Sequence, residues 1–533
     1  MRPEKYSANV FKGALILTVA ALITKILSAM YRVPFQNIVG DVGFYIYQQV
    51  YPFYGVALVL ATNGFPVIIS KLYAEQTVNQ RKDGIQRLFV ISTVILSLIG
   101  LLGFSILYWG ADGLAALMGD EDLSQLLRMI SFVFLLFPIV SVLRGYFQGN
   151  GDMIPTAVSQ VGEQFVRVLT ILLAAWILTK KEYSLYMVGS GAVFGSVTGG
   201  VTAILLLGIF YWNTGKKASL SIGKMDWKES GIIVKALLFQ GFAVCISSML
   251  LVFIQMADSL NLYSILLSTG FTNEGAKEVK GIYDRGQPLI QLGTVVATSM
   301  SLSLVPMITS EKLKEKAEFM LDKIRLALQI GLFVGVGATF GLWSIIKPTN
   351  QMLFENSDGS DVLAVLCLQI LFTSIIITAT AILQGLGYFL FPACIILFGF
   401  GVKYGLNMAL VPLFDTKGAA IASCITLCVI MFVLLYRLRK LLKLSIVSMR
   451  FFLVICAAAL VMMTILKIYL YITGIFPSYD HERLFAGFQA VSAVILGAIV
   501  YLWIVLKGGT FKEEELAMLP FGSKLLFFLP KKK

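Results

Sequence analysis

A few cations stand inside long apolar stretches of this sequence: Lys25, Arg32, Arg167 and Lys403. A cation at the centre of a bilayer costs about 2.5–3.5 kcal/mol on insertion scales, so each is a functional candidate unless its side chain reaches an interface. Lys25 lies 13 residues past Lys12, roughly 20 Å along a helix that rises 1.5 Å per residue. Arg32 follows seven residues later on the same helical face, where it either extends a cationic stripe or ends the helix at an interface. Glu163 precedes Arg167 by four residues, the favourable order for an intrahelical ion pair. Lys403 has no acid near it in its own stretch, so an anion from elsewhere should satisfy it. Arg144 reads as an interface anchor or a gate residue. Asp41, Asp258 and Asp284, the last within Tyr283-Asp284-Arg285-Gly286-Gln287-Pro288, read as gate or coupling elements. Cations outnumber acids in these stretches, and that surplus asks for an anionic ligand. Phosphate or pyrophosphate suits it, because arginine grips two oxygens at once and lysine acts as a point charge. Gln160, Gln164, Gln291 and Asn407 could bind sugar hydroxyls, or tie helix to helix.

Other chemistries find little support. The six cysteines all fall in apolar runs without a CxxC pair, and the single histidine, His481, sits in a polar loop. Neither a metal site nor a redox motif is expected. No GxxxxGK[ST] loop occurs, so no ATPase site is expected in the chain. No cofactor is expected either, which leaves a coupling ion as the one candidate.

The elements that must position these residues follow from composition. Of 533 residues, 58% are hydrophobic and 14% are charged, and the mean hydropathy is +0.83. These values exclude an ordinary soluble enzyme, a disordered chain and a secreted disulfide scaffold. Apolar runs predict fourteen transmembrane helices near 10–33, 43–70, 86–109, 124–147, 157–178, 185–211, 231–257, 284–308, 324–346, 361–384, 388–411, 417–437, 449–472 and 484–506. Assigning the loops to alternate sides puts 29 of the 43 cations on one side. That side is cytoplasmic by the positive-inside rule, and both termini fall on it.

A repeat is written into the chain. Gln148-Gly149-Asn150-Gly151 returns as Gln384-Gly385-Leu386-Gly387, and Arg167 and Lys403 follow their glutamines by the same 19 residues. The second and eighth spans also end alike, at 66–72 and 306–313. Six helices between copies keep them parallel, which predicts two six-helix lobes with the substrate path between them. The expected division is an N-lobe over 1–215, a C-lobe over 216–440, two further helices over 441–510 and a basic cytoplasmic tail over 511–533.

The stretches TKILSAMYRVPFQNIVGDVGFYIYQQVYP (24–52), GFPVIISKL (64–72), LRGYFQGNGDMIPTAVSQVGEQFVRV (143–168), YDRGQPLIQLG (283–293) and LQGLGYFLFP (383–392) carry a family resemblance. The chain resembles the polysaccharide-transport branch of the multidrug/oligosaccharidyl-lipid/polysaccharide (MOP) exporter superfamily. Within that branch it is similar to the Gram-positive group of stage V sporulation protein B and lipid II flippase relatives. The resemblance implies an all-α, fourteen-helix, two-lobe alternating-access flippase and no enzymatic activity. The implied substrate is an undecaprenyl-pyrophosphate-linked oligosaccharide or peptidoglycan precursor, moved from the inner to the outer leaflet of the bacterial cytoplasmic membrane. It also implies that essential first-helix cations match Lys25 and Arg32, with lysine at 25 where lipid II flippases have arginine, and that Arg285 matches a further cavity cation. The substrate-binding set expected is therefore Lys25, Arg32, Arg144, Glu163, Arg167, Arg285, Gln291 and Lys403. The expected partners are the lipid-linked glycan and membrane lipids, with no nucleic acid. Two alternatives remain: a multidrug exporter of the same fold, and a membrane glycosyltransferase or polymerase.

Overall fold

The computed structural model describes residues 3–78, 82–214, 227–295, 297–299, 317–442, 448–475 and 482–510. Every regular element among them is helical. Apolar runs of this length behave so in lipid because a helix satisfies its own backbone hydrogen bonds where no water can. Twelve of these helices are long and apolar enough to cross a membrane. Two of the twelve, Leu15–Thr77 and Leu390–Leu442, run for 63 and 53 residues, more than twice the roughly 20 residues that one crossing needs. Each is broken inside, at Gly40 (φ 69°) and at Asp415 (φ 50°). The eighth expected span, 284–308, lies partly outside the described residues, as do the matching end of that span at 306–313, His481, most of the basic loops and the tail.

The chain packs as two compact units. One comprises Met1–Asp284 with Gly387–Ala422, and the other Arg285–Leu386 with Ser423–Lys533. The first contains α1 (Pro3–Met30), α2 (Arg32–Val59), α3 (Phe65–Val78), α4 (Lys82–Trp109), α5 (Ala111–Met118), α6 (Ser124–Ser131), α7 (Val133–Gly149), α8 (Ile154–Lys180), α9 (Leu185–Asn213), α10 (Trp227–Lys235), α11 (Phe242–Ser248), α12 (Leu250–Ser268) and α13 (Asn273–Asp284). The second contains α14 (Gly286–Gly293), α15 (Ala317–Ser344), α16 (Ile346–Phe354), α17 (Ser360–Gly385), α19 (Met449–Gly474) and α20 (Glu482–Lys507). Helix α18 (Leu390–Leu442) is shared between them. In the second unit α15, α19 and α20 meet in an apolar core through Phe333, Ile455, Ala458, Met462 and Tyr501. The Tyr501 hydroxyl donates there to the Phe333 carbonyl at 2.8 Å.

Burial is arranged for lipid. Leu98, Leu101, Leu102 and Ile106 of α4 are exposed, whereas the largest fully buried side chains begin with Arg32, Arg144, Arg167 and Arg285. A soluble protein shows the opposite preference. The repeat is visible in the backbone. Helix α7 ends at Gly149 and α8 starts at Ile154, while α17 ends at Gly385 and α18 starts at Leu390, each boundary 236 residues after its counterpart. Both turns carry glycine in the left-handed region, Gly151 at φ 79° and Gly387 at φ 92°, a conformation that costs a side-chain-bearing residue energy.

Candidate functional site

The first unit brings Arg32 and Arg167 around one aromatic ring, that of Tyr51. The helical path from α1 into α2 does not stop at Arg32. Tyr31 keeps helical angles and accepts the Phe35 backbone N–H at 3.0 Å, so the helix continues until the break at Gly40. Arg32 is buried, 2% exposed, and the helical path runs past the span end expected near 33. After the break, α2 presents Tyr47, Tyr51 and Tyr54 at spacings of four and three, one face of a helix. The Arg32 guanidinium carbon lies 4.3 Å from the Tyr51 ring centre. That of Arg167, from α8, lies 4.5 Å from Tyr54, 5.4 Å from Tyr31 and 5.9 Å from the same Tyr51. Arg167 Nη2 also donates to the Tyr31 hydroxyl at 3.4 Å, and the Tyr31 and Tyr47 hydroxyls share a 2.8 Å hydrogen bond. Lys25 lies half-buried on α1, seven residues before Arg32.

The two guanidiniums are held but not paired with a carboxylate. Among the described residues neither Arg32 nor Arg167 has a carboxylate within ion-pair distance, and Arg32 Nε, Arg167 Nε and Arg167 Nη1 are buried without a hydrogen-bond partner. Gln164 Nε2, one turn before Arg167, is in the same state. A desolvated cation over an aromatic face gains about 2 kcal/mol, which falls short of the several kcal/mol that burying an ion costs. The deficit, together with three unpartnered nitrogens, is of the kind that an anion could offset.

Two other clusters are closed. Arg144, at 0% exposure, uses all three guanidinium nitrogens as a clamp: Nε donates to Ser159 Oγ at 3.1 Å, Nη1 to the Ala61 carbonyl at 3.3 Å and Nη2 to Glu163 Oε2 at 2.8 Å. The Ala61 carbonyl belongs to a π-helical turn, Leu60–Gly64, whose Leu60 carbonyl accepts from Ser141 Oγ at 3.0 Å. A π turn alters the i→i−4 ladder, and here α7 supplies the partners its carbonyls need. The expected ion pair between Glu163 and Arg167 is thus corrected, since Glu163 turns to the better-placed Arg144. In the third cluster Lys403 Nζ pairs with Asp258 Oδ1 at 2.7 Å and donates to Asn407 Oδ1 at 2.8 Å and the Ala419 carbonyl at 2.7 Å. Those three acceptors match the three protons of an ammonium. Asp258 is completed by the Tyr283 hydroxyl at 2.8 Å and Asn407 Nδ2 at 2.9 Å.

The remaining candidates are dispersed. Asp284 pairs with Lys280, both oxygens at 2.7 Å, and Asp41 accepts from Gln36 Nε2 at 2.9 Å. Arg285 lies in the second unit, with Nη1 donating to Asn356 Oδ1 at 2.6 Å and Asn350 Oδ1 at 3.4 Å. Gln291 is half-buried in α14 of that unit. Reading the sequence for charge alone missed the tyrosines and Lys280. The signal for the tyrosines was their spacing on one face of α2.

Comparison with known proteins agrees with this architecture. The family described as "Polysaccharide biosynthesis protein" matches residues 10–311. The chain is 44% identical over 526 residues to the uncharacterized membrane protein YabM of Bacillus subtilis (strain 168), covering 98% of this chain and 97% of the relative. It is 26% identical over 522 residues to the lipid II flippase MurJ of the same organism, covering 93% and 95%. Its fold is similar to a solved lipid II flippase MurJ in an inward closed conformation, with TM-score 0.65, 16% identity and coverage of 92% and 98%. It is also similar to an inward-facing multidrug resistance MATE family transporter of the MOP superfamily, with TM-score 0.62, 16% identity and coverage of 81% and 99%. With this helical membrane fold, a family match over more than half of its length and a relative 44% identical along nearly all of it, the chain belongs to the polysaccharide biosynthesis protein family.

Proposed function

We propose that the protein is a flippase that carries an undecaprenyl-pyrophosphate-linked oligosaccharide or peptidoglycan precursor from the inner to the outer leaflet of the bacterial cytoplasmic membrane. The observation that carries this reading is the pair of buried guanidiniums, Arg32 and Arg167, with three unpartnered nitrogens and, among the described residues, no carboxylate within ion-pair distance. Guanidinium N–H groups match the oxygens of a phosphate in number and geometry. In this reading Lys25 adds a third positive charge, Gln164 offers a neutral donor beside it, and the lipid tail stays in the bilayer. Both guanidiniums are shut off from solvent in the described state, so the site must open to one leaflet and then the other, as alternating access requires. Both termini face the cytoplasm, and a gradient or the membrane potential biases the return step. The similarity to lipid II flippase MurJ supports a lipid-linked substrate.

Depletion of the protein followed by extraction of lipid-linked intermediates tests the reading. A pyrophosphate-linked glycan should accumulate on the cytoplasmic leaflet, and Arg32→Ala or Arg167→Ala should fail to clear it while still reaching the membrane. Normal intermediate pools with both variants fully functional would overturn the proposal. Hypersensitivity to cationic drugs with unchanged pools would point instead to drug export.

A further inference from the structure

We propose that Tyr51 is a positioning residue whose ring holds the guanidiniums of Arg32 and Arg167 together without neutralising them, so that the substrate's diphosphate supplies the missing counter-charge. The inference rests on the anion-site reading above and adds to it the reason the site stays charged. Arg32 and Arg167 come from helices far apart in sequence, yet both lie within 6 Å of the Tyr51 ring centre, at 4.3 and 5.9 Å. Tyr31 and Tyr54 complete the aromatic walls around Arg167. Elsewhere in the same unit a buried guanidinium is handled differently: Arg144 is tied to Glu163, and each of its three nitrogens has a partner. A carboxylate at the Tyr51 position would serve Arg32 and Arg167 as Glu163 serves Arg144. It would also occupy the N–H groups that an incoming phosphate needs. An aromatic face attracts the cation through its quadrupole and leaves the in-plane N–H groups available.

The experiment compares the full-length protein in detergent with Tyr51→Phe, Tyr51→Leu and Tyr51→Glu, following thermal unfolding against inorganic pyrophosphate at constant ionic strength. The wild type should be stabilised by pyrophosphate, because a ligand bound to the folded state raises the unfolding temperature. Tyr51→Leu should need about tenfold more pyrophosphate for the same shift. Tyr51→Phe, which keeps the ring, should restore most of that loss. Tyr51→Glu should unfold at or above the wild-type temperature without pyrophosphate and should not respond to it. That combination of retained stability and lost response is one that a merely structural tyrosine would not produce. If Tyr51→Glu or Tyr51→Leu responds like the wild type, the role of Tyr51 is wrong while the anion site stands. If the wild type itself does not respond, the anion site falls and this inference falls with it.

Discussion

Arg167 and Lys403 occupy equivalent positions of the internal repeat, 19 residues past Gln148 and Gln384, and the first unit treats them in opposite ways. Lys403 is enclosed by an acid, an amide oxygen and a carbonyl, with every proton used. Arg167 is enclosed by tyrosine rings and retains two unpartnered nitrogens. One difference is local: four residues further along, Lys403 has Asn407 and Arg167 has Ile171. The other is long-range, since Asp258 comes to Lys403 from α12. A buried cation can thus be a joint or a socket. What it meets decides which, because a carboxylate cancels the charge while an aromatic face only cradles it.

The contrast can be broken most forcefully at the joint. Asp258→Ala strands Lys403 in a dry interior and should cost about 3–5 kcal/mol of stability, read as a large fall in unfolding temperature in detergent. Replacing both partners with apolar residues of similar size should recover most of it. An Asp258→Ala protein as stable as the wild type would show that the pair is not a joint. Glu163→Gln should cost about 1–3 kcal/mol, because Arg144 keeps its bonds to Ser159 and Ala61 but loses its counter-charge, measured by the same unfolding assay. Arg167→Met tests the socket. Removing an uncompensated charge should leave stability within about 1 kcal/mol of the wild type, or raise it, while precursor clearance in cells is lost. A collapse of stability in Arg167→Met would make Arg167 a joint after all. As a surface reference, the exposed pair of Arg128 and Asp112 at 2.6 Å should contribute no more than about 1 kcal/mol, so Arg128→Ala should unfold almost as the wild type does.

Much of this was legible beforehand, for reasons that differ by residue. The turns at Gly151 and Gly387 could be placed from sequence because a QGxG tetrapeptide carries its own conformational preference, and the helix boundaries around them recur at one offset. The intramembrane cations could be placed because a long apolar run leaves a charge nowhere to hide. The helical path passes the end expected near 33, because the tight turn falls at Gly40 rather than at Arg32. Glu163 was paired with Arg167 because four-residue spacing is the interaction a sequence displays, whereas the Arg144 clamp is assembled from α7, α8 and a π turn. The tyrosine stripe on α2 was present in the spacing but could be read only once α8 was known to lie against it.

By itself the sequence determined that this is a helical membrane protein, where its helices turn, and which of its charges must be accommodated in a low-dielectric interior. Those properties depend on composition and on periods of a few residues. The tertiary structure alone decided which cations are cancelled and which are kept in readiness. Hydrogen bonds and ion pairs act over about 3 Å, and residues such as Asp258 and Lys403 approach that closely only when distant helices pack.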